Sequence, residues 1–313
     1  MLKYKVIMKN QSEKMLDGVL TAVMDSDSDV PADSLTLTCP YDSEIRLHGD
    51  RLKVLDADKL VFTGQLDNIS VIKRGSGVIL KLNARSKAAE LLDNEAEPVT
   101  YINPSASLIE SRHLRPFGIT LSEVDNVPYY NKFKIDKGMS HWQVLRNFCR
   151  NRYQCEPRIS GDGTAYMLGV PSGGSVVFSD GGDGITYYGI RESQLRHRII
   201  SEVKLKFRQN NTYSGTLKNN NPDAQGLRRV RYVNTAADKT NLITAEEMIN
   251  NSNRAGYTLT LRCAGCHSDL LGSRAAVSDS VLGELGDLSV KKVRYYSDGR
   301  GEYSEITLKK EKF

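Results

Sequence analysis

Apolar and polar residues alternate along most of this chain. The alternation is clearest in Val78–Ala84 and in the second half of Ile199–Phe207, where apolar side chains recur at every second position. Successive side chains of a β-strand point to opposite faces of the sheet, so a period of two indicates an antiparallel strand with one buried face. The pattern therefore predicts a chain that is built mainly from half-buried strands.

Short glycine-containing turns join two pairs of these strands. Val61–Lys73 and Val78–Ala84 are separated by four residues, two of which are glycine. Leu288–Tyr296 and Tyr303–Lys309 flank a turn that contains Asp298-Gly299. Glycine tolerates the positive φ that tight hairpin turns need, so both pairs are predicted to form β-hairpins.

Helices are few, and two have clear start signals. Ser140-His141-Trp142-Gln143 is a capping-box pattern that precedes apolar residues at helical spacing, and we interpret Trp142 as a core anchor. Thr244-Ala245-Glu246-Glu247 repeats the signature and predicts a helix that ends at Gly256. A third helical segment is expected near Ser107–Leu114.

Two stretches depart from the alternation. Gln209–Pro222 is rich in Asn, Ser, Thr and Gly and predicts an exposed, mobile excursion, and the glycine-rich Gly161–Gly184 predicts a small β-meander. The expected fold class is a β-rich α+β protein. Three domains are expected. Residues 1–95 form a β-rich barrel, and residues 96–195 form a mixed α+β domain with the small β-meander. Residues 196–313 form a second β-rich barrel, which includes a helix at about 244–255.

Composition is that of a folded protein with a large polar surface. The chain has 313 residues, of which 39% are hydrophobic and 26% charged. The sequence contains no apolar run long enough to span a membrane. The segment Met1–Lys9 reads as a strand rather than a signal peptide, because lysines interrupt its short apolar run. We therefore expect the protein to be made in a cytoplasm and to have no membrane partner.

Charge is unevenly distributed. Residues 1–130 carry 15 Lys+Arg and 19 Asp+Glu, a net charge of −4, whereas the remaining residues carry a net charge of +9. Such asymmetry can mark a nucleic-acid surface or two surfaces that meet oppositely charged partners. Because the basic residues are scattered rather than gathered in one run, we favour the second interpretation.

The five cysteines are Cys39, Cys149, Cys155, Cys263 and Cys266. Their odd number without a secretion signal argues for free thiols rather than a disulfide framework. The segment Cys263-Ala264-Gly265-Cys266-His267 matches the c-type haem attachment pattern and could also supply half of a zinc site. A second Cys/His pair with suitable spacing is missing, so we interpret the segment as a strand end and turn with buried thiols.

Other candidate chemistry is weaker. Asp25-Ser26-Asp27-Ser28-Asp29 starts like a calcium loop, but Val30 and Thr36 stand where that loop needs Gly and Glu, so we interpret it as a solvated acidic loop. The carboxylates Asp93, Glu95 and Glu97 could serve glycoside hydrolysis, yet nothing distinguishes them from an acidic turn. The sequence has no H-E-x-x-H, G-x-S-x-G or Walker motif. We therefore predict no catalytic, cofactor-binding or metal-binding residues.

Three tyrosine doublets lie in or near predicted strands, at Tyr129-Tyr130, Tyr187-Tyr188 and Tyr295-Tyr296. In each doublet one ring should face inward and its neighbour outward. Outward tyrosines suit an interface, where aromatic residues are enriched.

The order of elements and motifs between about residues 50 and 150 resembles a known family. The motifs are Val61-Phe62-Thr63-Gly64-Gln65-Leu66-Asp67, Ala84-Arg85-Ser86, Leu91-Leu92-Asp93-Asn94-Glu95-Ala96 and Tyr101. They are similar to those of the baseplate hub proteins of contractile phage tails and phage-tail-like particles. The hub family of Gram-positive defective prophages is the nearer likeness, and the phage late-control D protein a more distant one.

This resemblance implies a non-enzymatic structural protein. Hubs of this family form homotrimers in which each subunit contributes two tail-tube-like β-barrel domains, and the resulting ring joins the sixfold tail tube to the threefold central spike. The implied partners are the tail tube protein, the spike protein, and other baseplate and LysM-type tail proteins, with DNA only passing through the lumen. The implied location is a virion or a tail-like bacteriocin, assembled in the bacterial host cytoplasm.

Two other classes of function stay open at this level. One is a tail-associated peptidoglycan hydrolase, which would need carboxylates or a Cys/His pair that converge in a cleft. The other is a β-rich binding module with a metal site at Cys263 and Cys266, which zinc analysis would detect.

Overall fold

The structure is a computed structural model that describes residues 2–75, 77–171, 173–206, 212–234 and 238–311, with the backbone alone for 238–243. The strands are β1 (Leu2–Met8), β2 (Glu13–Met15), β3 (Thr21–Asp27), β4 (Ser34–Pro40), β5 (Gly49–Asp56), β6 (Lys59–Arg74), β7 (Gly77–Ser86), β8 (Val99–Ile102), β9 (Thr120–Leu121), β10 (Lys132–Ile135), β11 (Arg158–Ile159), β12 (Thr164–Tyr166), β13 (Ser175–Ser179), β14 (Ile185–Gln194), β15 (Glu202–Leu205), β16 (Gly215–Lys218), β17 (Val230–Val233), β18 (Tyr257–Ala264), β19 (Arg274–Asp279), β20 (Gly283–Asp298) and β21 (Gly301–Lys310). The α-helices are α1 (Ser43–His48), α2 (Ala88–Asp93), α3 (Ala106–Ile109), α4 (His141–Tyr153) and α5 (Asp238–Gly256).

The residues group into two compact units. Unit 1 comprises Met1–Gly174, Ala264–Gly272 and Lys291–Glu305, and unit 2 comprises Ser175–Cys263, Ser273–Val290 and Ile306–Phe313. Strands dominate both units, so the predicted β-rich α+β class is confirmed. The division into three domains at 1–95, 96–195 and 196–313 stays a prediction.

The sheet of unit 1 buries one face. Its strands pair antiparallel in the order β20–β3–β4–β7–β6–β5–β1–β2. Alternate residues of each strand, such as Leu80 and Leu82 of β7, enter a common core with Phe62 and Tyr295. The hairpins predicted from the alternation are confirmed as β6–β7 and β20–β21, except that Ser76 lies outside the described residues.

A second core in unit 1 forms around α4. The Ser140 hydroxyl accepts from the Gln143 amide, and the Gln143 side chain accepts from the Ser140 amide, so the predicted capping box is confirmed. Trp142 and Phe148 of α4 are buried in this core, which also includes Leu91 of α2. The prediction of Trp142 as a core anchor is therefore correct.

Unit 2 contains a closed, six-stranded mixed β-barrel. Its strands follow the order β19–β13–β14–β18–β21–β20, and antiparallel pairing of β20 with β19 completes the circuit. β13 pairs in parallel with both β14 and β19, whereas β14 and β18 are antiparallel. A β-barrel is thus present, but its strands β13 and β14 precede the predicted domain at 196–313.

A small module interrupts the barrel between β14 and β18. It consists of the three-stranded sheet β16–β15–β17 and helix α5, and its core contains Val203, Leu205, Val233 and Ile249. We call residues 195–256 the inserted module.

Several predicted elements differ from the structure. Helix α5 begins at Asp238, so Thr244 lies inside the helix rather than at its N-cap, although the predicted end at Gly256 is correct. The segment expected near Ser107–Leu114 is α3 followed by a π-helical turn at Glu110–Leu114. Local capping patterns can occur within a helix, because tertiary packing decides how far the helix extends.

The predicted β-meander at Gly161–Gly184 is not formed among the described residues. β12 pairs with β9 and β11, whereas β13 joins the barrel through β14 and β19. The polar Gln209–Pro222 stretch, predicted as an exposed excursion, contains strand β16, which pairs with β15. Residues 207–211 lie outside the described residues. They include Phe207, the last residue of the predicted Ile199–Phe207 strand. Composition indicated the polarity of these stretches but not their strand partners.

Candidate interaction surfaces

A groove runs along one edge of β14 in unit 2. β18 pairs with β14 from Tyr187 to Gln194, but β13 pairs with it only at Ile185 and Thr186. In the part of the chain that the structure describes, the edge of β14 opposite β18 therefore has no strand partner beyond Thr186. The groove at this edge has a volume of about 470 Å³. We call it the β14 groove.

The opposite wall of the β14 groove is the turn between β19 and β20. The Asp279 carboxylate accepts hydrogen bonds from the Tyr187 hydroxyl and from the amides of Val281 and Leu282. The Asp180 carboxylate accepts from the amide and hydroxyl of Ser280. These contacts hold the turn in place and leave the Val281 side chain 88% exposed.

The β14 groove is acidic. Asp180, Glu192 and Asp279 line it, and the described lining contains no Lys or Arg. The hydrogen bond from Tyr187 and those from backbone amides lower the pKa of Asp279, and the hydrogen bonds from Ser280 lower that of Asp180. Both carboxyl groups are therefore ionised at neutral pH.

The inserted module presents a surface of opposite charge. Residues 195–256 carry 11 Lys+Arg and 5 Asp+Glu, a net charge of +6. Its outer strand β17 carries the exposed Arg231 and follows Arg228 and Arg229 directly. Tyr232 of β17 is 59% exposed and packs edge-on against Tyr213, with ring centroids 4.9 Å apart.

The tyrosine doublets confirm the inward–outward prediction in two strands. Tyr187 is buried and Tyr188 is 62% exposed, and Tyr295 is buried beside the half-buried Tyr296. The ring of Tyr296 stacks on that of Tyr303, with centroids 4.8 Å apart. Tyr130 is exposed and Tyr129 is half-buried, although neither lies in a strand.

A buried ion pair lies beside a cleft in unit 1. The Arg158 guanidinium donates to the Asp33 carboxylate and to the carbonyls of Asp27 and Val30, and both charged side chains are 3% exposed. The described contacts give the Arg158 Nε no partner. Sequence offered no signal for this pair, since 125 residues separate its members.

Two histidines of unit 1 meet in the second core. Nδ1 of His113 lies 2.9 Å from Nδ1 of His141, and Nε2 of His113 lies 3.3 Å from the Tyr101 hydroxyl. Burial, with His141 and Arg112 nearby, lowers the pKa of His113 to about 4. This pair also lacked a sequence signal, because the two residues come from the π-helical turn and the first turn of α4.

The cysteine motif has the structure of a strand end and a turn. Cys263 is buried in β18, and burial raises its pKa to about 11. Cys266 packs against the core of unit 1, and burial raises its pKa as well. The His267 ring nitrogen Nε2 lies 2.9 Å from the Ala264 carbonyl. Among the described residues, no group of three or more His, Cys, Asp or Glu side chains is placed to hold a metal ion.

The acidic segment Asp25–Asp29 is not the solvated loop that its composition predicts. Asp25 and Asp27 lie in β3, and Lys292 of β20 approaches their carboxylates at 2.9 and 3.4 Å. Arg294 adds a contact to Asp25 at 3.5 Å. Asp25 and Asp27 are held in the sheet because oppositely charged residues on paired strands stabilise one another.

The other candidate carboxylates have structural partners. Asp93 accepts from Arg85 at 2.6 Å, and Glu95 accepts from the Gly138 amide at 2.6 Å. Glu97 is exposed. We see no convergence of these groups on a common cleft among the described residues. No helix of the described chain is both long and apolar enough to cross a membrane.

Comparison with known proteins identifies the fold. No protein-family model matches the chain, and no curated protein matches its sequence. A tail protein from Neisseria meningitidis has the same fold, with a TM-score of 0.74, 19% identity, and coverage of 99% of this chain and 97% of that protein. The 43 kDa tail protein of prophage MuSo2 from Shewanella oneidensis matches with a TM-score of 0.77, 13% identity, and coverage of 98% and 97%.

A third match comes from a secretion machine. It is an Escherichia coli component of the type VI secretion system that is described as structurally similar to the T4 bacteriophage tail proteins gp27 and gp5. Its TM-score is 0.52 at 9% identity, over 93% of this chain and 73% of that protein. At these identities the likeness defines the fold alone, which this chain shares with two tail proteins and with a secretion-system component described as similar to gp27 and gp5. The resemblance predicted from the sequence is confirmed at this level.

Proposed function

We propose that this chain is a structural baseplate hub of a contractile tail or tail-like bacteriocin. Three copies would form a ring that joins the sixfold tail tube to the threefold central spike. The observation that carries the proposal is the fold likeness to two tail proteins over nearly the full length of both partners. The match covers 97% of each of the two relatives, and 99% and 98% of this chain.

The sheets of the chain suit a ring. In a three-domain organisation, each copy would have a second tube-like barrel near the N-terminus. Three copies with two barrels each would then provide six similar positions around the ring. Unpaired strand edges expose backbone donors and acceptors, which contact between copies would satisfy. The β14 groove and the outer strand of the inserted module are edges of this kind.

The proposal also assigns partners and location. The ring would contact the tail tube protein, the central spike protein, and other baseplate and LysM-type proteins, within a virion or tail-like particle that is assembled in the host cytoplasm. DNA would meet the protein only in passage through the lumen, and the chain would have no catalytic, cofactor or metal residues.

Mass measurement in solution combined with negative-stain imaging tests the proposal. We expect a trimer that appears as a ring with a central opening. Co-expression with a candidate tube protein and a candidate spike protein should yield a complex with both. A protein that stays monomeric at high concentration, and that binds neither partner, would rule out the hub. Cell-wall lysis by the purified protein would instead support the hydrolase.

A further inference from the structure

The two strand edges of unit 2 are complementary in hydrogen bonding and charge. We propose that β17 of one copy binds in the β14 groove of a second copy. This inference rests on the proposed ring and names the surfaces that would close it. Beyond Thr186 in β14, and along the outer side of β17, neither edge pairs with another strand within the described part of the chain.

Backbone groups provide the first reason for this pairing. An open strand edge presents a row of N–H and C=O groups, and an added strand satisfies them while its side chains enter neighbouring pockets. β14 continues for eight residues past its last contact with β13, which is ample for the four residues of β17. The β14 groove, with a volume of about 470 Å³, lies beside this edge.

Charge provides the second reason. Three acidic residues line the β14 groove, and three arginines lie in or directly before β17. Because opposite charges steer association and like charges across an interface are costly, a second β14 groove is a poor occupant and β17 a good one. The arginines are Arg228, Arg229 and Arg231.

Position provides the third reason. The β14 groove is lined by β14 residues from Tyr187 to Glu192 and by the turn after β19, whereas β17 begins at Val230 in the inserted module. The two surfaces consist of different residues of one subunit, because none of the groove-lining residues belongs to the inserted module. A head-to-tail contact between different surfaces is the type that closes a ring.

Exposed apolar and aromatic side chains provide the fourth reason. Val281 and Tyr188 lie at the β14 groove, and Tyr232 lies on β17. Tyrosine is enriched in the buried centres of interfaces, where its ring contributes area at little entropic cost. We expect these three side chains to lose most of their exposure when the strands pair.

Charge exchange tests the pairing in the full-length protein. Glu192→Lys and Arg231→Glu should each weaken self-association by roughly tenfold or more, because each places like charges across the contact. The double variant Glu192→Lys/Arg231→Glu should restore association to within a few fold of wild type. Analytical ultracentrifugation gives the association constants, and circular dichroism verifies that each variant is folded.

Matched controls separate this contact from a general effect of charge. Glu247→Lys and Arg254→Glu make the same charge changes at exposed positions of α5, and both should associate as wild type does. Substitution of Val281 tests the apolar part of the contact independently, because it leaves Glu192 and Arg231 unchanged. Val281→Ser, which adds no charge, should weaken association with little effect on folding, since this side chain is 88% exposed, and Val281→Leu should not weaken it.

The outcomes distinguish this inference from the proposed hub. If wild type forms a ring and the single reversals associate normally, the two edges are not the contact and the ring stands without them. If the single reversals weaken association and the double variant does not recover, the two edges do not meet each other. A wild-type protein that never self-associates would remove the ring and this pairing together.

Discussion

His113 is 3% exposed, and its Nδ1 lies 2.9 Å from Nδ1 of His141. Protonation of His113 would place a cation in this core, next to His141 and near Arg112. Burial, and secondarily His141 and Arg112, therefore lower the pKa of His113 from 6.5 to about 4. The unfolded chain binds that proton near pH 6.5, whereas the folded chain resists it until about pH 4.

This difference predicts a pH-dependent stability. Since the unfolded state holds more protons between pH 6.5 and pH 4, the free energy of unfolding should fall as pH falls through that window, by at most about 3 kcal/mol. Urea unfolding at several pH values from 7.5 to 4 measures the loss. His113→Gln should remove most of this slope, and the same change at the exposed His197 should leave the slope intact. Equal slopes for wild type and His113→Gln would contradict the assignment.

For single residues, the sequence indicates which side chains are buried better than it indicates which side chains contact one another. Trp142 was identified as a core anchor from its place after an N-cap, because helical spacing is a local property. The pairing of Arg158 with Asp33, and of His113 with His141, depends on segments that meet only after folding. Nothing in the spacing of these residues distinguishes them from exposed charges.

The β6–β7 hairpin shows how an element depends on one small residue. A Cβ atom at Gly64 would lie 2.1 Å from the Arg85 carbonyl oxygen and 2.6 Å from its carbon. These are backbone atoms of the paired strand, so the two strands would have to separate to admit any side chain. The alternation of polarity predicted both strands but not this close approach.

We therefore predict that Gly64→Ala destabilises unit 1 by about 1–3 kcal/mol, the usual cost of overpacking. Thermal or urea unfolding measures the change. Gly299→Ala is the matched control, since a Cβ there meets nothing within 4 Å, and its stability should equal that of wild type. Gly64→Ala with unchanged stability would mean that β6 and β7 are farther apart than described.

Across the whole molecule, the five cysteines are the residues predicted from the sequence to be free thiols. All five are unpaired, with Cys39, Cys149 and Cys263 buried and Cys155 and Cys266 half-buried. Burial raises the pKa of each thiol, which disfavours the reactive thiolate. The fold thus protects thiols that lie in both units.

Thiol titration should reveal this protection. At neutral pH the native protein should react slowly, at no more than the two half-buried cysteines, whereas the denatured protein should show five thiols without reductant. A count below five after denaturation would indicate a disulfide. A count that rises only after a chelator is added would indicate cysteines bound to a metal, with Cys263 and Cys266 as the candidate pair.

The sequence by itself determined which residues face inward, because a period of two or 3.6 records the apolar face of each strand or helix. It also determined the hairpins and the capped start of α4, since turns and caps depend on neighbouring residues. Only the tertiary structure decided that β3 pairs with β20, that β13 joins the barrel, and that Asp25 and Asp27 meet Lys292. An apolar face can be covered by any complementary face, so the choice of partner depends on the burial and pairing of the whole chain.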